Sequence, residues 1–155
     1  MIRIKEMTDI DSIMDWRREV IEHVFGEEPS PELMARNRNY YEDNIPTGRH
    51  IALEALFMEM KAGCGGVCFS EELPSPDNPS GLCGYLMNIY VREEYRKQGV
   101  AHSIVSELIR LARDRNCDKI YLETTEEGRH VYESAGFTDL PGMMKLKNYG
   151  KDDTD

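Results

Sequence analysis

The sequence predicts a mixed α/β (α+β) fold: a central mixed, mostly antiparallel sheet of about seven strands, with helices on both faces. Three observations support this prediction. A chain of 155 residues has the length of one domain. Its 40% hydrophobic and 31% charged residues are typical of a globular protein with a core. The apolar patterns follow the order βααβββαβαββ, which is neither a clean parallel alternation nor an all-antiparallel pattern.

The first elements are a strand and two helices. Residues 1–7, MIRIKEM, alternate apolar and charged side chains as a short strand does, and Thr8 or Asp9 is expected to cap the helix that follows. Side chains at roughly helical spacing mark that helix, namely Ile10, Ile13, Met14, Arg17, Val20, Ile21 and Val24. A second helix is expected over residues 31–44, with Ser30 as its cap and Pro31 in its first turn.

Three strands are expected in the middle of the chain. HIALEALFM and AGCGGVCFS are strand-like, and a proline-rich loop over residues 70–81 follows, since proline cannot continue a β-ladder. LCGYLMNIYV, residues 82–91, is apolar on both faces, which predicts a buried central strand.

The second half adds two helices and three strands. One helical face recurs over residues 99–115 and consists of Ala101, Ile104, Val105, Leu108, Leu111 and Ala112. CDKIYLET then predicts a strand, EEGRHVYESA a short helix, and the segment from GF to MMKLK a final pair of strands. The domain is expected to span residues 1–148, with residues 149–155 as a disordered tail.

Composition excludes some classes of partner. The 29 acidic and 19 basic residues give a net charge of −10, which argues against a nucleic-acid partner because phosphates need a basic face. No segment is apolar for the length of a membrane span, and the N-terminus lacks the apolar block of a signal peptide. We therefore expect a cytoplasmic protein with no membrane partner.

The four cysteines are expected to be reduced thiols, because the chain has no secretion signal. Cys64 and Cys68, in CGGVC, would share one face of a strand. A metal or redox pair is one interpretation. Two small core side chains are favoured, because no histidine lies nearby and zinc takes four ligands. No metal is expected.

The stretch YRKQGVA, residues 95–101, lies where a strand runs out and a helix begins. Unpaired N–H groups and the helix dipole make such a start an anion site, and Gly99 lets a ligand approach the backbone. Arg96 and Lys97 add positive charge beside it. The junction therefore predicts a phosphate or pyrophosphate site, although the two cations could also form a solvated surface pair.

The pattern Arg-x-x-Gly-x-Ala over residues 96–101 resembles the Gln/Arg-x-x-Gly-x-Gly/Ala motif of the GNAT family of acetyl-CoA-dependent N-acyltransferases. IYVREEY before it and VYESAGF after it stand in the family's order. The resemblance covers about residues 49–146, and the first two helices match in position alone. It implies a GNAT-like fold, acetyl-CoA as cosubstrate and an amine acceptor as partner, and a homodimer is left open.

The resemblance also implies roles for single residues. The pantetheine arm would pair with the backbone of Ile89, Tyr90 and Val91, as an added strand does. The pyrophosphate would bind the residues that open the helix, namely Arg96, Lys97, Gln98, Gly99, Val100, Ala101 and His102. Tyr132, in VYESAGF, would approach the thioester sulfur and protonate the leaving thiolate. A core position for Tyr132 and a surface position for His102 are the alternatives.

The general base is less sharply indicated. Some relatives carry a glutamate on the fourth strand, where Tyr85 stands here, and others carry one at the end of the fifth strand, which Glu123 matches. Glu123 would face the gap between those strands, or it is a solvated strand-end residue. Asn88 would contact substrate or a water. Residues 125–128, Thr-Glu-Glu-Gly, replace the family's usual Asn-x-x-Ala, so contacts from that loop are in doubt.

The acceptor end would be formed by the first two helices and the proline-rich loop. Its candidate lining aromatics are Trp16, Tyr40 and Tyr41, with core packing as the alternative, and its candidate acids are Glu19, Glu22, Glu71 and Glu72. The leading hypothesis is an N-acetyltransferase acting on a small-molecule or protein amine. A non-catalytic acyl-CoA-binding sensor is the main alternative, and an acyl carrier using Cys64 or Cys117 is a weaker one.

Overall fold

The computed structural model describes residues 1–148, and the predicted tail over residues 149–155 lies outside them. The strands are β1 (Ile2–Met7), β2 (His50–Phe57), β3 (Met60–Glu71), β4 (Leu82–Val91) and β5 (Lys119–Leu122). The helices are α1 (Ile10–Val20), α2 (Pro31–Asn44), α3 (Val100–Asp114) and α4 (Arg129–Ser134). No helix within the described residues is long and apolar enough to cross a membrane.

The five strands form one sheet in the order β1-β2-β3-β4-β5. Neighbouring strands from β1 to β4 are antiparallel, whereas β4 and β5 are parallel. The β4–β5 pairing ends at Leu86 and Leu122, although β4 continues to Val91. The two strands therefore part, and a cleft opens between them.

Each face of the sheet carries its own core. Alternate residues of β2 divide between the two faces: Ala52 packs with α1 and α2, whereas Ile51 and Leu53 pack with α3. We call these the α1–α2 core and the α3 core. The α3 core includes the fully buried Ile104 and Leu108. Because both cores rest on one sheet, the described residues form a single layered unit.

The predicted helix starts are confirmed. The Asp9 side chain accepts from the N–H of Ser12 at 3.0 Å, and the Ser30 hydroxyl accepts from the N–H of Leu33 at 3.1 Å. Residues 31–44 are helical as predicted. Helix α1 continues as a π-helical turn, Ile21–Phe25, and ends at Gly26, whose φ of 73° is left-handed.

The predicted final pair of strands is wrong for the described chain, which contains five strands rather than about seven. Residues 138–148 form no strand, so the order βααβββαβαββ is not confirmed at its end. Pro141 has no N–H for a ladder, and Gly142 turns the chain at φ 88°. The following methionines, Met143 and Met144, are 64% and 99% exposed and gain no burial that would hold a strand.

Candidate active site

A cavity of about 550 Å³ lies beside the cleft where β4 and β5 part. Residues of α1, α2, β2, β4, β5 and α4 line it. Five of the residues predicted from the sequence meet there, namely Tyr85, Asn88, Ile89, Glu123 and Tyr132. A concave site with a few convergent polar groups is the usual form of a small-molecule site.

A β-bulge in β4 shapes the middle of this cavity. Between Cys64 and Gly66 the β3 chain advances two residues, while the paired β4 chain advances three, from Met87 to Tyr90. Asn88 lies within this step and adopts a φ of 56°, which is left-handed. A bulge leaves backbone groups out of the ladder and redirects the side chains near it.

Tyr85, Glu123 and Tyr132 bring two phenols and a carboxylate to the lining of the cavity. The Tyr85 hydroxyl donates to Glu123 Oε1 at 2.9 Å. Burial, together with this carboxylate, raises the pKa of Tyr85 to about 12, so its phenol stays protonated. Tyr132 is half-buried with its ring edge against Phe137, and burial raises its pKa as well. Both phenols can therefore donate a proton at neutral pH.

Helix α1 contributes a cation that was not predicted as a site residue. The Arg17 Nε donates to Asn37 Oδ1 at 2.9 Å, and its Nη1 donates to Asn88 Oδ1 at 2.8 Å. The side-chain oxygen of Asn88 is thus engaged by Arg17. The sequence held one indication of this position. Arg17 places a charge on the otherwise apolar face of α1, and a charged side chain is not expected to face a core.

His50, Tyr40 and Tyr41 form an aromatic part of the cavity lining. The Tyr40 hydroxyl lies 2.9 Å from His50 Nδ1, and both rings stack edge-on with Tyr41. Burial, with a smaller contribution from the Arg17 charge, lowers the pKa of His50 to about 4, so the imidazole is neutral at pH 7. Of the aromatic candidates, Tyr40 and Tyr41 line the cavity, whereas Trp16 is buried and donates to Glu54 Oε2 at 2.7 Å.

The predicted acidic residues and the proline-rich loop do not line this cavity. Glu19 pairs with Arg92 at 2.9 Å, and Glu72 pairs with Lys119 at 3.3 Å. The loop contacts the chain just before β5, where the N–H of Ser80 donates to Asp118. Helices α1 and α2 therefore contribute to the lining of this cavity, and the loop does not.

Helix α3 begins at Val100, nine positions after β4 ends at Val91, with Gly99 as its cap. Gly99 has a φ of 86°, and the first helical hydrogen bond runs from the N–H of Ser103 to the Gly99 carbonyl at 3.0 Å. The N–H groups of Val100, Ala101 and His102 precede that bond and so point out of the helix start. A side chain at Gly99 would meet one described atom within 4 Å, Ile2 Cδ1 at 3.9 Å, so the space over this backbone is open.

Two side chains at this junction are hydrogen-bonded to nearby backbone carbonyls. Arg96 Nε donates to the Val91 carbonyl at 2.9 Å, so its charge points back to β4 rather than standing free beside the helix. Gln98 Nε2 donates to Glu94 O at 3.3 Å, and Lys97 adopts a left-handed φ of 63°. The side chains of Tyr90 and Val91 are buried.

The cysteines do not form a site in the described part of the chain. All four are free, and no cluster of three or more His, Cys, Asp or Glu side chains suitable for a metal occurs among residues 1–148. Cys64 is buried, its Sγ donates to Asn88 O at 3.4 Å, and burial raises its pKa.

Comparison with curated proteins finds N-acetyltransferases among the relatives. The chain is 25% identical over 101 residues to glucosamine 6-phosphate N-acetyltransferase of Trypanosoma brucei brucei, covering 65% of this chain and 59% of that protein. It is 28% identical over 92 residues to thialysine N-epsilon-acetyltransferase of Sus scrofa, covering 46% and 54%. The matched region thus spans less than two thirds of either relative.

A solved structure and a family model each match a longer part of the chain than these curated relatives do. The crystal structure of a predicted acetyltransferase with acetyl-CoA from Clostridium acetobutylicum matches 95% of this chain and 96% of that one, with a TM-score of 0.81 and 24% identity, which shows a shared fold. The model of the acetyltransferase (GNAT) family matches residues 10–137, from the first turn of α1 to the aromatic residue after α4. Since that match includes every element that builds the cleft, the chain belongs to the acetyltransferase (GNAT) family.

Proposed function

We propose that the protein is an acetyl-CoA-dependent N-acetyltransferase that moves an acetyl group to a primary amine of a small molecule or protein by direct attack of the amine on the thioester. The observation that carries this proposal is the parting of β4 and β5 at a bulge, beside a cavity that holds Tyr132 and Glu123. The N-acetyltransferase names of the relatives and the family membership support it.

Two stretches of backbone would hold the cosubstrate. The β4 edge at Ile89, Tyr90 and Val91 has no β5 partner, so it can pair with the amide-bearing pantetheine arm as an added strand would. The start of α3, residues 96–102, would bind the pyrophosphate through N–H groups at the positive end of the helix dipole. The open space above Gly99 fits a ligand that approaches the backbone closely.

The side chains around the cleft supply the proton transfers. Acetyl-CoA provides the activated acetyl group. A backbone N–H at the β4 bulge would stabilise the charge that develops on the acetyl oxygen. Tyr132, kept protonated by burial, would give its proton to the departing thiolate. Glu123 would accept a proton from the acceptor's ammonium group, which leaves the neutral amine to attack, and Tyr85 would fix the orientation of the carboxylate.

The burial of the cysteines disfavours an acyl carrier that uses one of their thiols. Burial raises the pKa of Cys64 and of Cys117, so at neutral pH both thiols lack the thiolate character that a nucleophile needs. Replacement of each cysteine by serine is expected to retain acetyl transfer. Loss of turnover in the serine variants, with acetyl-CoA still bound, would favour the covalent route.

The test is release of free thiol from acetyl-CoA in the presence of a broad panel of amines, with formation of the acetylated amine followed by mass spectrometry. We expect release that depends on the acceptor. Acetyl-CoA binding without acceptor-stimulated release from any amine would contradict the proposal and favour the non-catalytic acyl-CoA sensor.

A further inference from the structure

The side chain of Arg17 is a fixed, half-buried cation in the wall of the cavity. Two amide oxygens hold it, one on α2 (Asn37 Oδ1, 2.9 Å) and one on the β4 bulge (Asn88 Oδ1, 2.8 Å). Contacts from two separate elements set the plane of the guanidinium. The fork is therefore preorganised, so little side-chain freedom remains to be lost when a ligand binds.

No carboxylate of the described residues neutralises the charge of Arg17. Arg92 pairs with Glu19 through two bonds of 2.9 Å, but no carboxylate within residues 1–148 forms an ion pair with Arg17. Amide oxygens orient a guanidinium without cancelling its charge. Two of its five N–H donors are engaged by Asn37 and Asn88, which leaves donors on the same fork for a ligand.

The charges that line the cavity have opposite signs and lie on different elements. Within the described chain the charged lining side chains are Arg17 on α1 and Glu123 after β5. Glu123 already accepts from the Tyr85 hydroxyl, and His50 is neutral at pH 7 because burial lowers its pKa to about 4. The cavity therefore offers one region for a cationic amine and another for an anion.

We propose that Arg17 binds an anionic group, a carboxylate or a phosphate, carried by the amine acceptor. This inference rests on the proposed function and narrows its acceptor to amines that bear a negative charge. The guanidinium fork suits both groups, since each can accept two parallel N–H bonds. The anion held at Arg17 would direct the amine of the same molecule towards Glu123 and the cleft.

The first experiment compares two matched pairs of acceptors with the wild-type protein: glucosamine 6-phosphate with glucosamine, and lysine with lysinamide. We expect kcat/KM to be about 10- to 100-fold higher for the anionic member of at least one pair, which is the range for a charge-assisted hydrogen-bond pair. The pair with the larger ratio distinguishes a phosphate from a carboxylate acceptor.

The second experiment repeats the preferred pair with variants of α1. Arg17→Gln is expected to reduce the anionic-to-neutral ratio to near one, mainly by raising KM for the anionic acceptor. Arg17→Lys keeps the charge without the fork and should retain part of the ratio. Arg18→Gln removes the same charge from an exposed position of the same helix and should keep the wild-type ratio. Far-UV circular dichroism checks that each variant is folded.

The outcomes separate the inference from the proposed function. Equal kcat/KM for both members of both pairs, or an unchanged ratio in folded Arg17→Gln, would overturn the role of Arg17 while acetyl transfer stands. Acetyl-CoA binding with no thiol release from any amine would overturn the proposed function, and this inference with it.

Discussion

Burial favours the neutral forms of several ionisable side chains in the cavity, among them Tyr85, Tyr132 and His50. It raises the pKa of Tyr85 to about 12 and that of Tyr132 above its ordinary value, and it lowers that of His50 to about 4. The two phenols are therefore proton donors, and the imidazole adds no positive charge. At the scale of residues, burial is the largest cause of the pKa shifts of these side chains.

Tyr132→Phe tests the proton donor. A thiol of pKa near 8.5 is already a fair leaving group, so we expect a loss of about 10- to 100-fold in kcat, at the low end for general acid catalysis. The affinity for acetyl-CoA, measured by titration calorimetry, should change far less. Tyr121→Phe, on β5 but outside the cavity lining, is the matched control. An unchanged kcat in Tyr132→Phe would reduce Tyr132 to a packing residue.

His50 should make stability depend on pH. Its folded pKa of about 4 lies below its ordinary value of 6.5, so the unfolded chain takes up the proton first as the pH falls. The contribution of neutral His50 to the free energy of unfolding is complete above pH 6.5. It is lost as the pH falls from 6.5 to 4. From pH 7 to pH 5 the loss is about 2 kcal/mol in the free energy of unfolding.

Urea denaturation at pH 7 and pH 5 measures this effect. His50→Gln should show a smaller decline in the free energy of unfolding than the wild type, whereas His130→Gln, which changes an exposed histidine, should match the wild type. Equal declines in His50→Gln and the wild type would mean that His50 is protonated in the folded protein as easily as in the unfolded one.

At the scale of elements, β4 and α3 together build the expected cosubstrate site. The strand loses its β5 partner after Leu86, bulges at Asn88 and delivers the chain to a helix that starts at Gly99. The side chain of Arg96 is bonded to the Val91 carbonyl. The groups that we propose to bind the cosubstrate here are backbone N–H and C=O groups, and the course of the chain sets their positions.

Gly99→Val should weaken acetyl-CoA binding strongly. A β-branched residue is disfavoured at a φ of 86°, so the turn must change, and its side chain would also occupy the open space over the helix start. Titration calorimetry should show a rise in Kd of about 100-fold, the loss of two or more charge-assisted bonds.

Gly142→Val is the matched control for Gly99→Val. It imposes the same backbone conflict at a φ of 88° in the exposed segment after α4, where no atom of residues 1–148 would lie within 4 Å of the added Cβ. It should lower stability without changing the Kd. An unchanged Kd in folded Gly99→Val would contradict the pyrophosphate assignment at this helix start.

At the scale of the whole molecule, one sheet separates two cores and couples them. The α1–α2 core contains Trp16, the single tryptophan of the chain, and the α3 core contains Leu108 on the opposite face. Strands β2 and β4 contribute side chains to both cores. Loss of packing on one face should therefore unfold the other face in the same transition.

Leu108→Ala tests this coupling. Removing a fully buried leucine should cost about 2–5 kcal/mol of unfolding free energy. The midpoint should fall equally when unfolding is followed by Trp16 fluorescence, which reports the α1–α2 core, and by circular dichroism, which reports all helices. Ile13→Ala in the α1–α2 core is the converse variant. A fluorescence midpoint that stays at the wild-type value in Leu108→Ala would show that the two cores unfold independently.

Local patterns were sufficient for most elements. The caps at Asp9 and Ser30, the bounds of α2 and the glycine start of α3 were predicted, because caps and apolar periods act over a few neighbouring residues. The final strands failed because a strand depends on a partner edge. MMKLK alternates suitably, yet its methionines remain exposed in the described chain.

Short-range patterns along the chain were enough to predict the layered α/β class, an anion site at the start of α3 and the family resemblance. Only the tertiary structure brought Arg17 of α1 to Asn88 of the β4 bulge, 71 positions away, and aligned Tyr85 with Glu123. Contacts of that kind depend on how helices and strands pack, and local propensity carries no information about them. The motif thus predicted the family cofactor, whereas our proposal of an anionic acceptor rests on contacts that exist only in the folded cavity.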